Sequence, residues 1–577
     1  MRFTSAKHSN VSHLLCGGWL FAAWIFIFPQ PGNAEGNGFA ESLRGDAVIR
    51  DIQFIDAQSG WAVGENAAIW HTSDGGAKWQ LQNVPIRCQL HAVSFIDTQT
   101  GWAAGGWTEP YTQLSRGTLL RTSDGGKNWT PWSKDPLPQI KNIQFFNLQE
   151  GIATVAASPL YPHGILITKD GGKSWSTPPT ESHCSWQCGD FQNVRSGYLV
   201  GKNQFGTMRT GRIHSQEMTG GKTESPVWTA VCIADAQIGY ALTTTGSLFI
   251  TQNAGLHWEQ RAKLPLPLGF VPQAMEAQGR HLWICGSPGN QILYSKDGGI
   301  QWTLQSTGQS MPLWGLHFQT PQQGWAVGAF GTILRTESGG SEWHIQQQTR
   351  ERAAVLGVFA TAEATPLEAF SLLSAAEGYS SSVVLLGYTP LTPSVPLDVA
   401  ASREREALLL SGINSVDQGF SVPIPSAWRK AANPETLTSP PCTPSLCQKP
   451  FSRENIMRAF EAHIERQIRL YRPDVIVTHP ATHRRVDPLG FQINQAVLRA
   501  VERARGKTVN PHLTSDLAAW QVRKVYAKLP PRVSGAVSIS TRRWMLTLGS
   551  TLAEHVQGAR ALLDCFPQPA ESVLHFS

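Results

Sequence analysis

A short motif of small residues, one acidic residue and a closing tryptophan recurs along the first part of the chain. Strong copies are TSDGGAKW ending at Trp79, TSDGGKNW ending at Trp129, TKDGGKSW ending at Trp175 and SKDGGIQW ending at Trp302. Weaker copies end at Trp258 and Trp343, and the closing tryptophans are spaced by 41 to 50 residues apart from one interval of 83. A repeat of about 44 residues is typical of one four-stranded propeller blade.

The long interval holds room for one more repeat. Residues 190–201 read DFQNVRSGYLVG and match the first half of the unit without its closing motif. Counting this worn copy, the sequence predicts seven blades over residues 46–348. Alternating apolar residues in each copy, such as IQFI and IWHT in the first, indicate half-buried strands.

Each position of the motif has a structural reason. Asp74 is expected to accept backbone N–H bonds in a tight turn in which the two following glycines take positive φ, and Trp79 is expected to pack against its own blade. The same roles are expected at Asp124 with Trp129, Asp170 with Trp175, and Asp297 with Trp302. Trp61, Trp102 and Trp325 recur at one repeat position, which favours packing between blades over sugar-binding platforms.

This pattern resembles two known groups. The turn motif is similar to the Asp-box of bacterial neuraminidase repeats, and the fuller unit, with GWAVG followed by GxIxxTxDGGxxW, resembles the photosystem II stability/assembly factor family over residues 48–348. The resemblance to the second group implies an assembly scaffold rather than a catalyst. The arginine-containing segment and arginine triad of sialidases are not found, which argues against catalysis in the propeller.

Binding in a propeller is expected where loops differ between blades. Residues 106–116, 156–164 and 202–226 are predicted to be blade-specific insertions. The last contains Arg209, Arg212 and Lys222, a modest basic patch for a partner, with a solvated loop in a worn blade as the alternative interpretation. The partner could be a protein or a glycan. A formal net charge of only +6, without a long basic run, argues against nucleic acid.

The N-terminus predicts export. Arg2 and Lys7 precede an apolar stretch at residues 14–28, and small residues follow up to Ala34, which suggests a signal peptide over residues 1–34. An uncleaved membrane anchor is the alternative, and the destination would be the periplasm or the extracellular space, where a membrane-associated complex could form. Eight cysteines remain after cleavage; Cys184 with Cys188 and Cys442 with Cys447 are candidate local disulfides, whereas Cys232 and Cys285 are expected to be buried thiols.

Residues 353–577 have a different organisation. Apolar runs predict strands at residues 353–359, 382–386 and 474–478, separated by helices predicted at 367–378, 453–470 and 491–505, with a late helix at 548–563. This alternation predicts a parallel α/β sheet. The segments VLGVFA, SVVLLG, SREREALLLSGI, RPDVIVTH and AWQVRKVY resemble the PIG-L/LmbE-like de-N-acetylase family, which implies a Rossmann-like fold that binds zinc.

The positions that would bind zinc in that family have changed. Its HPDDE motif, with a ligand His, a base and a ligand Asp, corresponds to Thr361, Glu363 and Ala364, and its second motif, HPDH, ends at Gly490. Since alanine and glycine have no ligating side chain, the resemblance implies a domain without its zinc site. A substitute site at His479, His483 and Asp487, spaced by four residues, is a weaker alternative, because Pro480 and Pro488 predict a loop rather than a helix.

The sequence therefore predicts a seven-bladed all-β propeller followed by an α/β Rossmann-like domain. The function expected is that of an exported binding or scaffold protein without catalysis or cofactor. Two alternatives remain: a divergent zinc-dependent de-N-acetylase of N-acetylated glycans that the propeller targets, and a scaffold like the photosystem II assembly factors.

Overall fold

The computed structural model describes residues 44–577 except for residues 87, 113, 159, 180–185, 202–203, 218–226, 268–269, 349–351, 387–396, 419–452, 482–486, 507–516, 532 and 565–569. The signal-peptide prediction, Cys184, Lys222, Cys442, Cys447, His483 and Cys565 lie outside the described residues. The described residues belong to one compact unit, which begins at Gly38. No helix among them is long and apolar enough to cross a membrane.

Seven antiparallel sheets follow one another along residues 49–347, each built from consecutive strands. Blade 1 comprises β1 (Ile49–Phe54), β2 (Gly60–Gly64), β3 (Ile69–Thr72) and β4 (Gln80–Leu81). Blade 2 comprises β5 (Gln89–Phe95), β6 (Gly101–Thr108), β7 (Ser115–Thr122) and β8 (Thr130–Pro131). Blade 3 comprises β9 (Ile140–Phe145), β10 (Gly151–Val155) and β11 (Ile165–Thr168). A bridge between Ile167 and Ser176 stands where the fourth strand of blade 3 would be.

Four further blades complete the ring. They comprise β12 (Trp186–Asn193), β13 (Ser196–Gly201), β14 (Gln204–Arg209), β15 (Arg212–Glu217); β16 (Trp228–Ile233), β17 (Gly239–Thr243), β18 (Ser247–Thr251), β19 (Glu259–Lys263); β20 (Val271–Gln278), β21 (His281–Ser287), β22 (Gln291–Ser295), β23 (Thr303–Ser306); and β24 (Leu313–Phe318), β25 (Gly324–Gly328), β26 (Ile333–Thr336), β27 (His344–Gln347). The worn copy forms blade 4, so the prediction of a seven-bladed propeller is confirmed.

A tryptophan on the second strand of a blade connects it to the next blade. Trp61 is fully buried, stacks on Phe95 of blade 2 with ring centroids 3.6 Å apart, and donates through Nε1 to the carbonyl of Gly125 at 3.1 Å. Equivalent bonds join Trp102 to Gly171, Trp283 to Gly339 and Trp325 to Gly75. The predicted role of these tryptophans in inter-blade packing is confirmed.

The Asp-box turns have the predicted geometry. In blade 1, Asp74 Oδ1 accepts from the hydroxyl of Thr72 at 2.8 Å and from the N–H of Lys78 at 2.9 Å, while Gly75 and Gly76 take φ values of 71° and 95°. Asp124, Asp170 and Asp297 make the corresponding bonds. Trp79 meets Phe54 of its own blade edge-to-face at 5.9 Å. Trp129 and Trp175 repeat this contact in their own blades, and Trp302 donates to Gly299 of its own turn.

The C-terminal domain contains a parallel five-stranded sheet. Its strands are β28 (Val355–Phe359), β29 (Ser381–Leu385), β30 (Ser415–Asp417), β31 (Val475–Thr478) and β32 (Lys524–Ala527), in the spatial order β30-β29-β28-β31-β32. This order, 3-2-1-4-5 in chain order, is that of a doubly wound sheet. The helices are α1 (Leu367–Phe370), which continues as a π-helix over Ser371–Ala376, then α2 (Leu397–Leu410), α3 (Arg453–Tyr471), α4 (Pro488–Arg505), α5 (Leu552–His555) and α6 (Gln557–Leu563).

Two apolar cores cover the faces of this sheet, one with α3 and α4 and one with α1, α2 and α6. Beyond β32, β33 (Val537–Ser540) pairs with β36 (Val573–Phe576), and β34 (Trp544–Met545) pairs with β35 (Ser550–Thr551), both antiparallel. The prediction of a helix over 548–563 was wrong at its start, because Ser550 and Thr551 pair as a strand and the capping box of Thr551 with Glu554 begins the helix only at Leu552.

Candidate functional site

One end of the propeller carries an extra residue in the first strand of every blade. The pairing of each first strand with its neighbour skips one residue at the same place, which forms a β-bulge. The skipped positions are Arg50, His91, Lys141, Gln187, Thr229, Gln273 and Trp314. Because the first strands form the innermost ring, these bulges place seven residues of six different types around one mouth of the central channel.

The C-terminal domain covers part of this end through a buried cluster of charges. Glu65, in the 3-10 turn after β2, is 2% exposed and accepts from Arg50 and from Arg405 of α2, each at 2.5 Å. Arg50 also lies 4.3 Å from the ring of Trp314. Burial opposes ionisation of Glu65, but Arg405 and Arg50 outweigh it and lower its pKa. Burial and the nearby Arg405 lower the pKa of Arg50 to about 10.

Further contacts between the two parts involve blades 2, 6 and 7. The backbone N–H of Thr108 in blade 2 donates to Glu406, and Arg466 donates to the carbonyl of Ser287 in blade 6 at 2.5 Å. In blade 7, Phe330 meets Tyr471 edge-to-face at 6.2 Å within a shared apolar core. Together with the Glu65 cluster, these contacts place the C-terminal domain on blades 6, 7, 1 and 2.

Two of the three insertions that the sequence predicted lie at this same end. Alternate turns of an antiparallel blade lie at opposite ends, so the turns between second and third strands share the end of the bulges. Residues 109–114 of blade 2 and 156–164 of blade 3 are such turns. They present Leu114 and Leu160 to solvent, 53% and 66% exposed. The predicted insertion 106–116 is shorter than expected, because β6 and β7 extend into it and leave only 109–114 as loop.

The predicted basic patch is divided. Residues 202–226 are not a single inserted loop, because β14 and β15 run through them as the outer strands of blade 4. Arg209 and Arg212 flank the turn at the end opposite the bulges, and Arg209 donates to the carbonyl of Ala254 in the Asp-box-like turn of blade 5 at 2.8 Å. Arg209 therefore has a structural contact, and its binding role stays a prediction.

A cleft of about 130 Å³ lies where the strand order of the parallel sheet reverses, at the carboxyl ends of β28, β31 and β32. Ligands bind at this position in open α/β sheets. Phe359, Ala364, His479 and Lys528 are among the residues that line it. Thr361 and Glu363 follow β28 at its edge, and burial, with the nearby Asp564, raises the pKa of Glu363.

The side chains at this cleft do not fit a zinc ion. His479 Nε2 accepts from the backbone N–H of Ala360 at 2.9 Å, and its Nδ1 faces Asp487 Oδ2 at 3.4 Å, so both ring nitrogens are engaged within the protein. Asp487 caps α4 by accepting from the N–H of Gly490 at 2.8 Å, and the hydrogen bond from His479 lowers its pKa. A metal ligand needs a free lone pair, which His479 lacks here.

Gly490 is required by this arrangement. A Cβ at this position would lie 1.9 Å from Asp487 Oδ2 and 2.6 Å from His479 Nδ1. A side chain at position 490 would therefore require Asp487 and His479 to move from their present positions. As the prolines predicted, His479 and Asp487 do not share a helix, since His479 follows β31 and Asp487 precedes α4. Among the described residues, no cluster of three or more potential ligands could hold a metal ion.

The sequence analysis missed Glu65 and Arg405, which join the two parts of the chain. They are 340 residues apart, and no pattern in the sequence links the two. The only sequence signal is the run of charges in SREREALLL, which is unusual for a helix that turns out to be largely buried.

Comparisons with known proteins agree with this architecture in the N-terminal half. Residues 40–130 match the family model described as "Photosynthesis system II assembly factor YCF48". A "Photosystem II assembly lipoprotein Ycf48" from Synechococcus sp. (strain CC9902) is 24% identical over 293 residues, which are 47% of this chain and 80% of the relative. The propeller is similar to photosystem II assembly factors.

Other assembly factors match the same part of the chain. "Photosystem II stability/assembly factor HCF136, chloroplastic" from Arabidopsis thaliana is 23% identical over 319 residues, covering 53% of this chain and 68% of the relative. Among solved structures, "YCF48 bound to D1 peptide" is 22% identical with a TM-score of 0.42, covering 51% of this chain and 92% of that one. "YCF48 from Cyanidioschyzon merolae" is 20% identical with a TM-score of 0.39, covering 51% and 96%.

Proposed function

We propose that this protein is an exported assembly scaffold that binds a protein partner through its propeller. The similarity of the whole propeller to relatives named as photosystem II assembly proteins, over 80–85% of the length of two of them, carries this proposal. Export rests on the apolar N-terminal stretch and the small residues that follow it. A photosystem II subunit is the finer hypothesis for the partner, and it rests on the names of those relatives.

The proposed binding surface is the bulge-bearing end of blades 3 to 5, next to the part that the C-terminal domain covers. It includes the exposed Lys141 and the loop around Leu160. Uneven loops on a rigid ring are a common place for recognition. The docked domain would then restrict the partner to this sector, whereas a propeller without such a domain has its whole end open.

Co-purification of the tagged chain from its own host tests this proposal. The variant Lys141→Glu/Leu160→Glu should lose the partner that the wild type retains. The matched control is Leu256→Glu/Lys296→Glu, which changes two equally exposed residues in Asp-box turns at the opposite end. Equal loss in both variants, or in neither, would contradict binding at blades 3 to 5. Identification of the retained protein as a photosystem II subunit would support the finer hypothesis.

We further infer that the C-terminal domain is a de-N-acetylase-like fold that has lost its zinc site. The strand order, the position of Thr361 and Ala364 after β28, and the packing of Asp487 and His479 against Gly490 support this. An assay of the purified protein on N-acetylglucosamine with added zinc tests it. Deacetylation that falls when His479 is replaced would establish the alternative, a divergent hydrolase.

A further inference from the structure

A small hairpin near the end of the chain exposes two large apolar side chains. It is formed by β34 and β35, joined by residues 546–549. Met545 is buried in a small core with Ala376 and Leu552, whereas its neighbours Trp544 and Leu546 are 59% and 91% exposed. Leu546 is the most exposed large apolar side chain among the described residues. The base of the hairpin is therefore held in the small core, while its apolar tip is exposed to solvent.

The hairpin has a defined conformation. The N–H groups of Leu548 and Gly549 both donate to the carbonyl of Met545, at 3.1 and 3.0 Å. The hydroxyl of Thr547 donates to the carbonyl of Ala376 at 3.4 Å, and Gly549 takes the positive φ of 62° that closes the turn. These bonds hold the tip outward, so the exposure of Trp544 and Leu546 is built into the fold.

Two exposed arginines adjoin this tip. Arg542 and Arg543 directly precede Trp544, are both exposed, and make no side-chain hydrogen bond or ion pair with any described residue. Two other basic residues of this part of the chain are paired, Arg523 with Asp474 and Lys528 with Glu571, each at 3.3 Å. Arg542 and Arg543 are therefore the charges next to the tip that can meet a ligand.

We propose that this hairpin docks the protein onto an anionic bilayer surface. Trp544 and Leu546 would enter the boundary between headgroups and acyl chains, where tryptophan is favoured, and Arg542 and Arg543 would meet the lipid phosphates. The apolar side chains lie on a convex tip, which suits insertion into a soft surface better than capture of a peptide, since a peptide needs a groove. The hairpin adds a membrane contact to the C-terminal domain, separate from any partner of the propeller.

Sedimentation with lipid vesicles tests the proposal. The protein used begins at Gly38, the start of the compact unit, because the apolar residues 14–28 would bind vesicles by themselves. Binding is expected to vesicles of phosphatidylcholine with about 30% phosphatidylglycerol, and it should weaken as salt is raised. Trp544→Ser/Leu546→Ser should weaken binding at least about tenfold through lost apolar contact, and Arg542→Gln/Arg543→Gln about tenfold through lost charge.

The control is Leu256→Ser/Ile300→Ser, which removes two side chains that are 62% and 57% exposed on the propeller. This variant should bind vesicles as the wild type does, and unchanged thermal unfolding of all variants would show that the fold is intact. The proposal is overturned if the wild type does not sediment with anionic vesicles. In that case a protein partner, rather than a membrane, would be the expected contact of the hairpin. It is also overturned if the hairpin variants bind as well as the control.

Discussion

The guanidinium group of Arg405 lies 2.5 Å from the carboxylate of Glu65, although one belongs to the C-terminal domain and the other to blade 1. Glu65 also binds Arg50, so a single buried carboxylate pairs with one arginine of the propeller and one of the C-terminal domain. This pairing fixes the second helix of the C-terminal domain at the mouth of the central channel. The two parts therefore act as one body at this end of the propeller.

Replacing Arg405 by alanine should weaken this interface. A buried ion pair that loses one partner typically costs about 3 kcal/mol, and since Arg50 still compensates Glu65, we expect about 2 kcal/mol here. Chemical denaturation measures the loss, and limited proteolysis should release the C-terminal domain sooner. Arg195→Ala, at an exposed turn of blade 4, serves as the control and should have no effect. Unchanged stability of Arg405→Ala would show that the pair contributes nothing to docking.

No sheet is shared across the seam between blades 7 and 1, where the backbone bond from Gly331 N–H to the carbonyl of Ala47 at 3.0 Å is joined by side-chain contacts. Trp325 Nε1 donates to the carbonyl of Gly75 at 3.2 Å across this seam. Trp325→Phe keeps most of the packing and removes the bond, so we expect a loss of about 1–2 kcal/mol in the free energy of unfolding. Trp544→Phe, at an exposed position, should lose almost nothing. Equal effects of the two changes would argue against a role of this bond in closure.

Stability should fall as the pH rises, because of Glu276 on β20. Burial, with the nearby Asp190, raises the pKa of Glu276 to about 8. A carboxyl whose pKa is raised on folding adds most stability below its unfolded pKa, about 4.5, and loses it as the pH rises through the folded value. Glu276→Gln should remove much of this loss and be more stable than the wild type at pH 9, on the order of 2 kcal/mol. A stability difference between wild type and variant that stays constant from pH 5 to pH 9, measured by thermal melting at each pH, would contradict this prediction.

The mature protein, purified without chelators, should contain far less than one zinc per chain. The reason is that His479 Nε2 accepts from Ala360 and that Gly490 has no side chain to bind a metal. Elemental analysis measures the metal, and a known zinc hydrolase that is purified by the same procedure serves as the control. About one zinc per chain would mean that His479 rearranges, and attention would turn to His483, which lies outside the described residues.

The sequence by itself determined the propeller. The Asp-box positions Asp74 and Trp79, their repeats and the spacing of about 44 residues require local turns and strands, and local structure can be inferred from local pattern. The same holds for the alternation of strands and helices in the C-terminal domain, and the sequence also shows that Ala364 and Gly490 have no ligating side chain.

Only the tertiary structure decided how the two parts meet and what the remaining polar groups do. Glu65 finds Arg405 across 340 residues, and no local pattern encodes a contact at that separation. Arg209 and Arg212 looked like loop residues because their strands lack the Asp-box that marks the other blades. The exposed tip at Leu546 lies just before the helix predicted at 548–563, and the hairpin is defined only by the pairing of Met545 with Ser550 and of Trp544 with Thr551. Burial, partner and register are properties of the folded chain, and they set the chemistry of these side chains.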